Sequence, residues 1–152
     1  MIKKSQTDIF FKGDNTIMDS FFTLRAEEDF KAAFKILVPL SKKHTQDYRI
    51  FFLLGAVLYQ DGDFLNAIKY LEMAVLLKPD YHLSSLCLIH TLSELGEWYN
   101  GFLEIRRFLR IGSKKQKEHR FLLKEIISNI ANFNKSERAA IKRLQNEFLH
   151  LL

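Results

Sequence analysis

Apolar residues recur along most of the chain at the three- and four-residue spacing of amphipathic helices, separated by short polar gaps. The clearest stretch is GAVLYQDGDFLNAIKYLEMAVLLKPD, residues 55 to 80. Two helical patterns meet there at a Gly-Asp turn, and a proline follows the second pattern. The stretch predicts a helix hairpin in which Gly62 closes the first helix and Pro79 ends the second.

The same hairpin pattern recurs in three repeats with a period of 34 residues. The positions that coincide are aromatic, small, aliphatic or acidic in all three: Phe30, Phe64 and Trp98; Ala33, Ala67 and Gly101; Leu37, Leu71 and Ile105; Leu24, Leu58 and Leu92; Asp29, Asp63 and Glu97. A two-helix repeat cannot bury its own apolar face, so it must stack on its neighbours. We predict an all-α fold, an α-solenoid of three helix pairs at residues 14–47, 48–81 and 82–115, which together span 14–115.

Residues 116–152 keep the helical spacing but lose the repeat pattern, because Asn132, Lys135 and Lys142 stand where the period requires Phe, Ala and Ala. Asn134 and Glu137 are spaced to cap a last helix. We therefore predict two capping helices here. The apolar stripe of the last one consists of Ala140, Leu144, Phe148 and Leu151. An alternative interpretation makes that stripe the face of a homodimer.

The middle repeat carries a pattern of large, small and aromatic residues that can be compared with known families. Its members are Phe51, Leu54, Gly55, Leu58, Gly62, Phe64, Ala67, Leu71, Ala74 and Pro79. The stretch resembles a tetratricopeptide repeat at every one of these positions. The outer repeats depart from the family pattern, since Phe21 and Ile89 replace its first glycine and Glu28 replaces its second. Pro39 is expected to kink or end the second helix of the first repeat.

The resemblance implies that the first helix of each pair lines a concave groove in which a ligand lies. By the family's layout, positions 2, 5, 9 and 12 of each repeat face this groove. They are Asn15, Met18, Phe22 and Arg25; Arg49, Phe52, Ala56 and Tyr59; and Leu83, Leu86, His90 and Ser93. Other residues of the same helices already supply the core. The large apolar members are therefore surplus surface, on the order of several hundred Å², a size typical of an interface.

A closer resemblance, over about residues 26 to 111, is to the small bacterial chaperones of type III secretion translocators. That family has a similar length and three repeats, with a middle repeat much like DYRIFFLLGAVLYQDGDFLNAIKYLEMA. The resemblance implies a chaperone or adaptor that holds an extended apolar segment of a secreted translocator or effector. In the alternative, the chain's own residues 1–13, a segment carrying Ile9, Phe10 and Phe11, cover the groove.

The composition fits one soluble domain: of 152 residues, 47% are apolar and 27% charged. The single cysteine, Cys87, excludes an internal disulfide framework. The longest apolar run, IFFLLGAVLY, is far shorter than the roughly 18 residues that span a bilayer. The first residues lack the apolar core of a signal peptide. We expect a cytoplasmic protein without a membrane span.

The formal net charge of +5 is concentrated late in the chain. We call this cluster the basic face; it comprises Arg106, Arg107, Arg110, Lys114, Lys115, Lys117, Arg120 and Lys124. Such patches contact phosphates or acidic proteins. The second hypothesis is therefore a scaffold subunit, or a binder of nucleic acid or an acidic partner. No phosphate loop or zinc-finger spacing accompanies the patch, which disfavours nucleic acid.

The sequence argues against an enzyme. Cys87 and His90 lie three residues apart on one predicted helix, but no residues are evident for an oxyanion site or an orienting acid. The remaining histidines show no metal-binding spacing. We expect no catalytic residues, no cofactor and no metal.

Overall fold

Eight α-helices and two short 3₁₀ turns make up most of residues 14–152, the part of the chain that the computed structural model describes. The helices are α1 (Asn15–Ala26), α2 (Phe30–Lys43), α3 (Tyr48–Asp61), α4 (Phe64–Leu77), α5 (His82–Glu94), α6 (Trp98–Ile111), α7 (Lys117–Ser128) and α8 (Lys135–Glu147); the 3₁₀ turns are Ile130–Asn132 and Leu149–Leu151. No strand occurs within residues 14–152, and the all-α prediction is confirmed. The segment proposed to cover the groove, residues 1–13, lies outside the described residues.

The helix boundaries follow local sequence signals. Helices α2, α4 and α6 each begin at the aromatic residue of their repeat, and α4 ends two residues before Pro79. Asn134 and Glu137 form the predicted capping box, each side chain accepting from the other's backbone N–H. Pro39, however, does not end α2, which continues to Lys43. Its side chain is exposed, so the ring lies on the solvent side of the helix.

The turns inside the first three hairpins share one geometry at the 34-residue spacing. Glu28, Gly62 and Gly96 adopt left-handed φ angles of 61°, 81° and 75°. The next residue's N–H then donates to the carbonyl five residues back, over 2.9 Å for Asp29 to Leu24, 2.9 Å for Asp63 to Leu58 and 2.8 Å for Glu97 to Leu92. This bond satisfies a carbonyl that the helix end leaves open.

The chain forms two compact units, an N-terminal unit ending at Leu77 and a C-terminal unit, Lys78–Leu152. Two contacts define the stacking of the α1–α2 and α3–α4 hairpins in the N-terminal unit. Arg25 Nε donates to Gln60 Oε1 over 2.6 Å between α1 and α3. The Phe34 and Tyr70 rings meet edge to face, 5.7 Å apart, between α2 and α4. Side chains of α1 therefore contact α3 and those of α2 contact α4, while α2 also packs against α3.

The C-terminal unit stacks its two hairpins in the same order. The His119 ring lies against Ser85 between α7 and α5, and Arg110 Nε donates to Glu147 Oε1 over 2.7 Å between α6 and α8. The predicted capping helices thus form a fourth hairpin. Leu144 and Phe148, the stripe considered as a homodimer face, are buried inside this unit. The structure therefore gives no support to that alternative.

Helices α3 and α4 approach most closely at Gly55. A Cβ atom there would lie 2.5 Å from Leu71 Cγ and 3.2 Å from the Ala67 carbonyl oxygen. The aligned small residues predicted to allow close approach, Ala33, Ala67 and Gly101, are all buried. At Gly101 the nearest atom to an added Cβ would be 3.7 Å away. Of these two helical glycines, therefore, only Gly55 stands where no larger residue has room.

The left-handed Glu28 should be strained, because a non-glycine residue in this conformation costs about 1–2 kcal/mol. We expect Glu28→Gly to raise the free energy of unfolding by about 0.5–1 kcal/mol. This is less than the full strain energy, because glycine has greater entropy in the unfolded state, which offsets the rest. Gly62→Ala, which places a Cβ in the same conformation, should lower it by a similar amount. Urea unfolding followed by circular dichroism measures both. A destabilised Glu28→Gly variant would contradict this account of the turn.

The two helical glycines give a second, matched pair. Gly55→Ala must displace Leu71, and we expect it to destabilise the protein by about 1–3 kcal/mol. Gly101→Ala meets no such obstacle and should stabilise helix α6 by up to about 1 kcal/mol through its better helix propensity. If Gly55→Ala and Gly101→Ala change the free energy of unfolding equally in urea, then the close contact of Gly55 with Leu71 does not restrict the residue at position 55.

Candidate functional site

The predicted groove residues of the N-terminal unit lie on α1 and α3. Phe22, Arg25, Phe52, Ala56 and Tyr59 are all half-buried. The Phe22 and Phe52 rings pack against the rim of one core cluster, so α1 and α3 bring them to the same part of this unit. Arg25 is held by its hydrogen bond to the α3 side chain described above. This unit therefore presents aromatic side chains that its own core covers only in part.

Met18 corrects the groove prediction. Its side chain is 1% exposed and belongs to the core cluster with Phe21. The two residues stand three apart on α1, so they share the face that points inward. Ile17 and Leu24 of the same helix are only partly buried. The buried stripe of α1 is thus rotated from the family layout, and Met18 is unavailable to a ligand.

Arg49 stabilises the start of α3. Asp47 caps this helix by accepting the Arg49 backbone N–H over 3.0 Å, and the Arg49 Nε donates to the same carboxylate oxygen over 2.8 Å. The hydrogen bond that the Arg49 guanidinium donates to the Asp47 carboxylate raises the pKa of Arg49. This guanidinium is therefore already engaged by a carboxylate of its own chain.

In the C-terminal unit the predicted groove residues lie on α5. Leu83 and His90 are exposed and Leu86 is half-buried. Their spacing of three and four residues places them on one face of the helix. Leu83 is 41% exposed, which is unusual for a leucine within a packed hairpin. Helix α5 thus carries an apolar face that its own unit does not cover.

The basic face is partly used inside the C-terminal unit. Arg107 makes two 2.7 Å hydrogen bonds to the buried Glu104 carboxylate, and its Nη1 donates to the Pro79 carbonyl over 3.0 Å. Arg110 pairs with Glu147, and this hydrogen bond lowers the pKa of the glutamate. Arg106 and Arg120 are half-buried. The exposed cations that remain are Lys114, Lys115, Lys117 and Lys124.

A buried polar cluster, formed by Ser85, Glu104, Arg107 and His119, was not predicted from the sequence. Ser85 Oγ donates to Glu104 Oε1, and His119 Nε2 lies 2.9 Å from the same hydroxyl. The His119 ring is fully buried and stacks on Phe108 with centroids 3.9 Å apart. Ser85 and His119 are 34 residues apart, one repeat period, which is the signal that could have paired them.

The geometry of this cluster suits structure better than nucleophilic catalysis. Because the Ser85 proton points to Glu104, His119 must donate from Nε2 and cannot act as a base toward the hydroxyl. Its Nδ1 has no hydrogen-bond partner in the described part of the chain. Burial, followed by His82, lowers the pKa of His119 to about 4, so the ring is neutral at pH 7. Ser85 is also fully buried, out of reach of a substrate.

The C-terminal unit contains a cavity of about 490 Å³, which we call the C-terminal pocket. It lies between the α5–α6 turn and the α7–α8 turn. Its lining consists of Ile89, Ser93, Gly96, Glu97, Trp98, Tyr99, Gly101, Ile105, Leu122, Glu125, Ile126, Asn129, Asn132, Phe133 and Glu137. No pattern in the sequence predicted this pocket.

The pocket has a local cause in the fourth hairpin. The period places an aromatic residue at position 132, as in the three earlier hairpins, but Asn132 stands there. The chain after α7 forms a 3₁₀ turn, Ile130–Asn132, and not the left-handed turn of the other hairpins. The junction that an aromatic would fill is therefore left open.

Comparisons with known proteins leave the family open: no family model matches the chain, and no curated protein is significantly similar to it. Among residues 14–152, none of the helices has both the length and the apolar character needed to cross a bilayer. Within the same range, no three His, Cys, Asp or Glu side chains are grouped to hold a metal ion.

The depressed pKa of His119 predicts a pH dependence of stability. The unfolded chain binds a proton near pH 6.5, whereas the folded chain does so only near pH 4. The contribution of neutral His119 is therefore complete above pH 6.5 and is lost as the pH falls toward 4, by about 2–3 kcal/mol. His119→Gln should remove this part of the slope in urea unfolding between pH 7 and 5. His90→Gln, at an exposed position, is the control; parallel slopes for wild type and His119→Gln would refute the assignment.

Proposed function

We propose that this protein is a peptide-binding chaperone or adaptor built from tetratricopeptide-type helix hairpins. The observation that supports this most is the recurrence of one turn geometry at Glu28, Gly62 and Gly96, each followed by a helix that begins at an aromatic residue. Stacked hairpins of this kind commonly serve protein recognition, because their first helices form continuous binding surfaces.

The proposed ligand is an extended apolar segment of a partner protein. Phe22 and Phe52 in one unit, and Leu83 and Leu86 in the other, are apolar side chains that lie incompletely covered on first helices. Side-chain pockets of this kind give specificity for extended peptides. We propose that the residues of each unit dock part of such a segment and keep it soluble while it is bound.

The resemblance to translocator chaperones makes the proposal more specific. In that role the protein would hold the segment of a secreted translocator or effector in the cytoplasm before export. A partner of this type has long apolar stretches that aggregate when exposed, which explains the need for a chaperone. The basic face, with Lys114, Lys115 and Lys117 exposed, is proposed to contact an acidic part of the same partner.

The groove proposal predicts that a charge at a half-buried apolar position abolishes binding. The partner is first captured from the native cytosol and identified, and its apolar segment is synthesised for anisotropy titrations. We expect Phe52→Asp and Leu86→Asp each to weaken binding about 30-fold or more, because a buried carboxylate in an apolar contact costs about 2 kcal/mol or more.

Leu65→Asp is the matched control, because Leu65 is an apolar residue on α4 that is already 69% exposed. It should bind like wild type, and all three variants should keep the helical circular dichroism signal. Unchanged affinity of both groove variants would refute the proposal. Deleting residues 1–13 tests the self-covering alternative, which requires tighter binding after deletion. Loss of binding only in a Lys114, Lys115 and Lys117 triple glutamate variant, with strong salt dependence, would favour the basic face instead.

A further inference from the structure

The C-terminal pocket differs in charge from the chain that contains it. The protein carries a formal net charge of +5, but the pocket is lined by Glu97, Glu125 and Glu137 and by no lysine or arginine. The basic side chains are instead held elsewhere, as in the Arg110–Glu147 pair. All charged side chains of this lining are acidic. The pocket is therefore electrostatically complementary to a positive group.

The hydrogen bonds of these carboxylates leave them able to accept from a ligand. Glu97 Oε2 accepts from Asn100 over 2.8 Å, and Glu137 Oε2 accepts the Asn134 backbone N–H over 3.0 Å. Each of these contacts occupies one of two carboxylate oxygens. Glu125 has no side-chain hydrogen bond or ion pair within residues 14–152. Glu125 is therefore the carboxylate best placed to bind a cation.

The rest of the lining is apolar and aromatic. Ile89 and Ile105 are buried at the inner side, and Trp98, Tyr99 and Phe133 supply rings. The Trp98 side chain is 52% exposed, which is a large exposed area for a tryptophan. Apolar walls accept an apolar group, and aromatic rings also attract guanidinium and ammonium groups. The pocket thus favours a ligand with an apolar body and a positive charge.

Polar groups in the same pocket suit a peptide. Asn132 carries an amide group that can both donate to and accept from a peptide backbone, and the Asn129 amide oxygen and Ser93 lie in the same lining. At about 490 Å³, the cavity is within the usual range of pockets that enclose small ligands. This volume suits two adjacent side chains and not a long extended strand.

We propose that the C-terminal pocket binds a peptide segment in which a large apolar side chain stands next to an arginine or lysine. This proposal rests on the proposed function, because both require a peptide partner. It adds a second binding site, which has a sequence preference of its own. The apolar side chain packs between Ile89, Ile126 and Phe133. The cation lies against Glu125, with Glu97 at the rim.

Trp98 is the only tryptophan in the chain and reports on the pocket directly. The probe is the dipeptide Ac-Phe-Arg-NH₂, titrated to millimolar concentration while the Trp98 fluorescence and its indole NMR signal are followed. We expect a saturable response, with at least tenfold weaker binding of Ac-Phe-Glu-NH₂ and of Ac-Ala-Arg-NH₂. The first comparison tests the charge and the second tests the apolar contact.

Two variants locate the site. Glu125→Gln should weaken Ac-Phe-Arg-NH₂ binding about tenfold by removing a charge-assisted hydrogen bond. Asn132→Phe should abolish it by placing an aromatic ring in the cavity, and it should fold because Asn132 is exposed. Glu72→Gln, at an exposed position on α4, is the matched charge control and should bind like wild type. Circular dichroism checks the fold of each variant.

The proposal is overturned if Ac-Phe-Glu-NH₂ binds as well as Ac-Phe-Arg-NH₂, if Asn132→Phe binds like wild type, or if no peptide changes the Trp98 signals. Phe52→Asp separates this proposal from the groove proposal. It should leave the dipeptide titration unchanged while it weakens binding of the long apolar segment. If only one of the two ligands, the dipeptide or the long apolar segment, fails to bind as expected, that result identifies which of the two proposals is wrong.

Discussion

The need of each helix hairpin to bury one apolar face against another hairpin governs this structure. A pair of helices 14 residues long, such as α3 and α4, has too little interior of its own to be stable alone. In each compact unit the second helix of one hairpin packs against the first helix of the next, α2 on α3 and α6 on α7. The faces left over on α1, α3 and α5 carry the apolar residues proposed to bind a partner, and the imperfect fourth hairpin leaves the C-terminal pocket.

Local signals made much of the fold predictable from the sequence. Gly62 can close a helix because it has no Cβ, and the Asn134–Glu137 capping box needs only residues three apart. The prediction for Met18 was wrong because the rotation of a helix about its axis depends on neighbours distant in sequence. The fourth hairpin was predicted only as two capping helices, because Asn132 and Lys135 stand where the period requires Phe and Ala.

The candidate site was less predictable than the fold, since it depends on which charges pair. Counting cations suggested a continuous basic face, but Arg107 and Arg110 form ion pairs that hold the C-terminal unit together. The pocket carboxylates lie on α6, α7 and α8 or at their ends, and only tertiary structure brings Glu97, Glu125 and Glu137 to one cavity. The net charge alone therefore does not predict where positive or negative side chains lie on the folded protein.

The buried polar cluster has a consequence for how accurately the last two hairpins assemble. If α7 slid along α5 by one helical turn, His119 would lose its hydrogen bond to the Ser85 hydroxyl and would face apolar side chains. An unmatched polar group in such surroundings costs about 1–3 kcal/mol, more than several apolar contacts recover. Apolar surfaces can pack in several alignments. The polar side chains of this cluster make their hydrogen bonds in only one alignment of α7 with α5, so the cluster selects a single register.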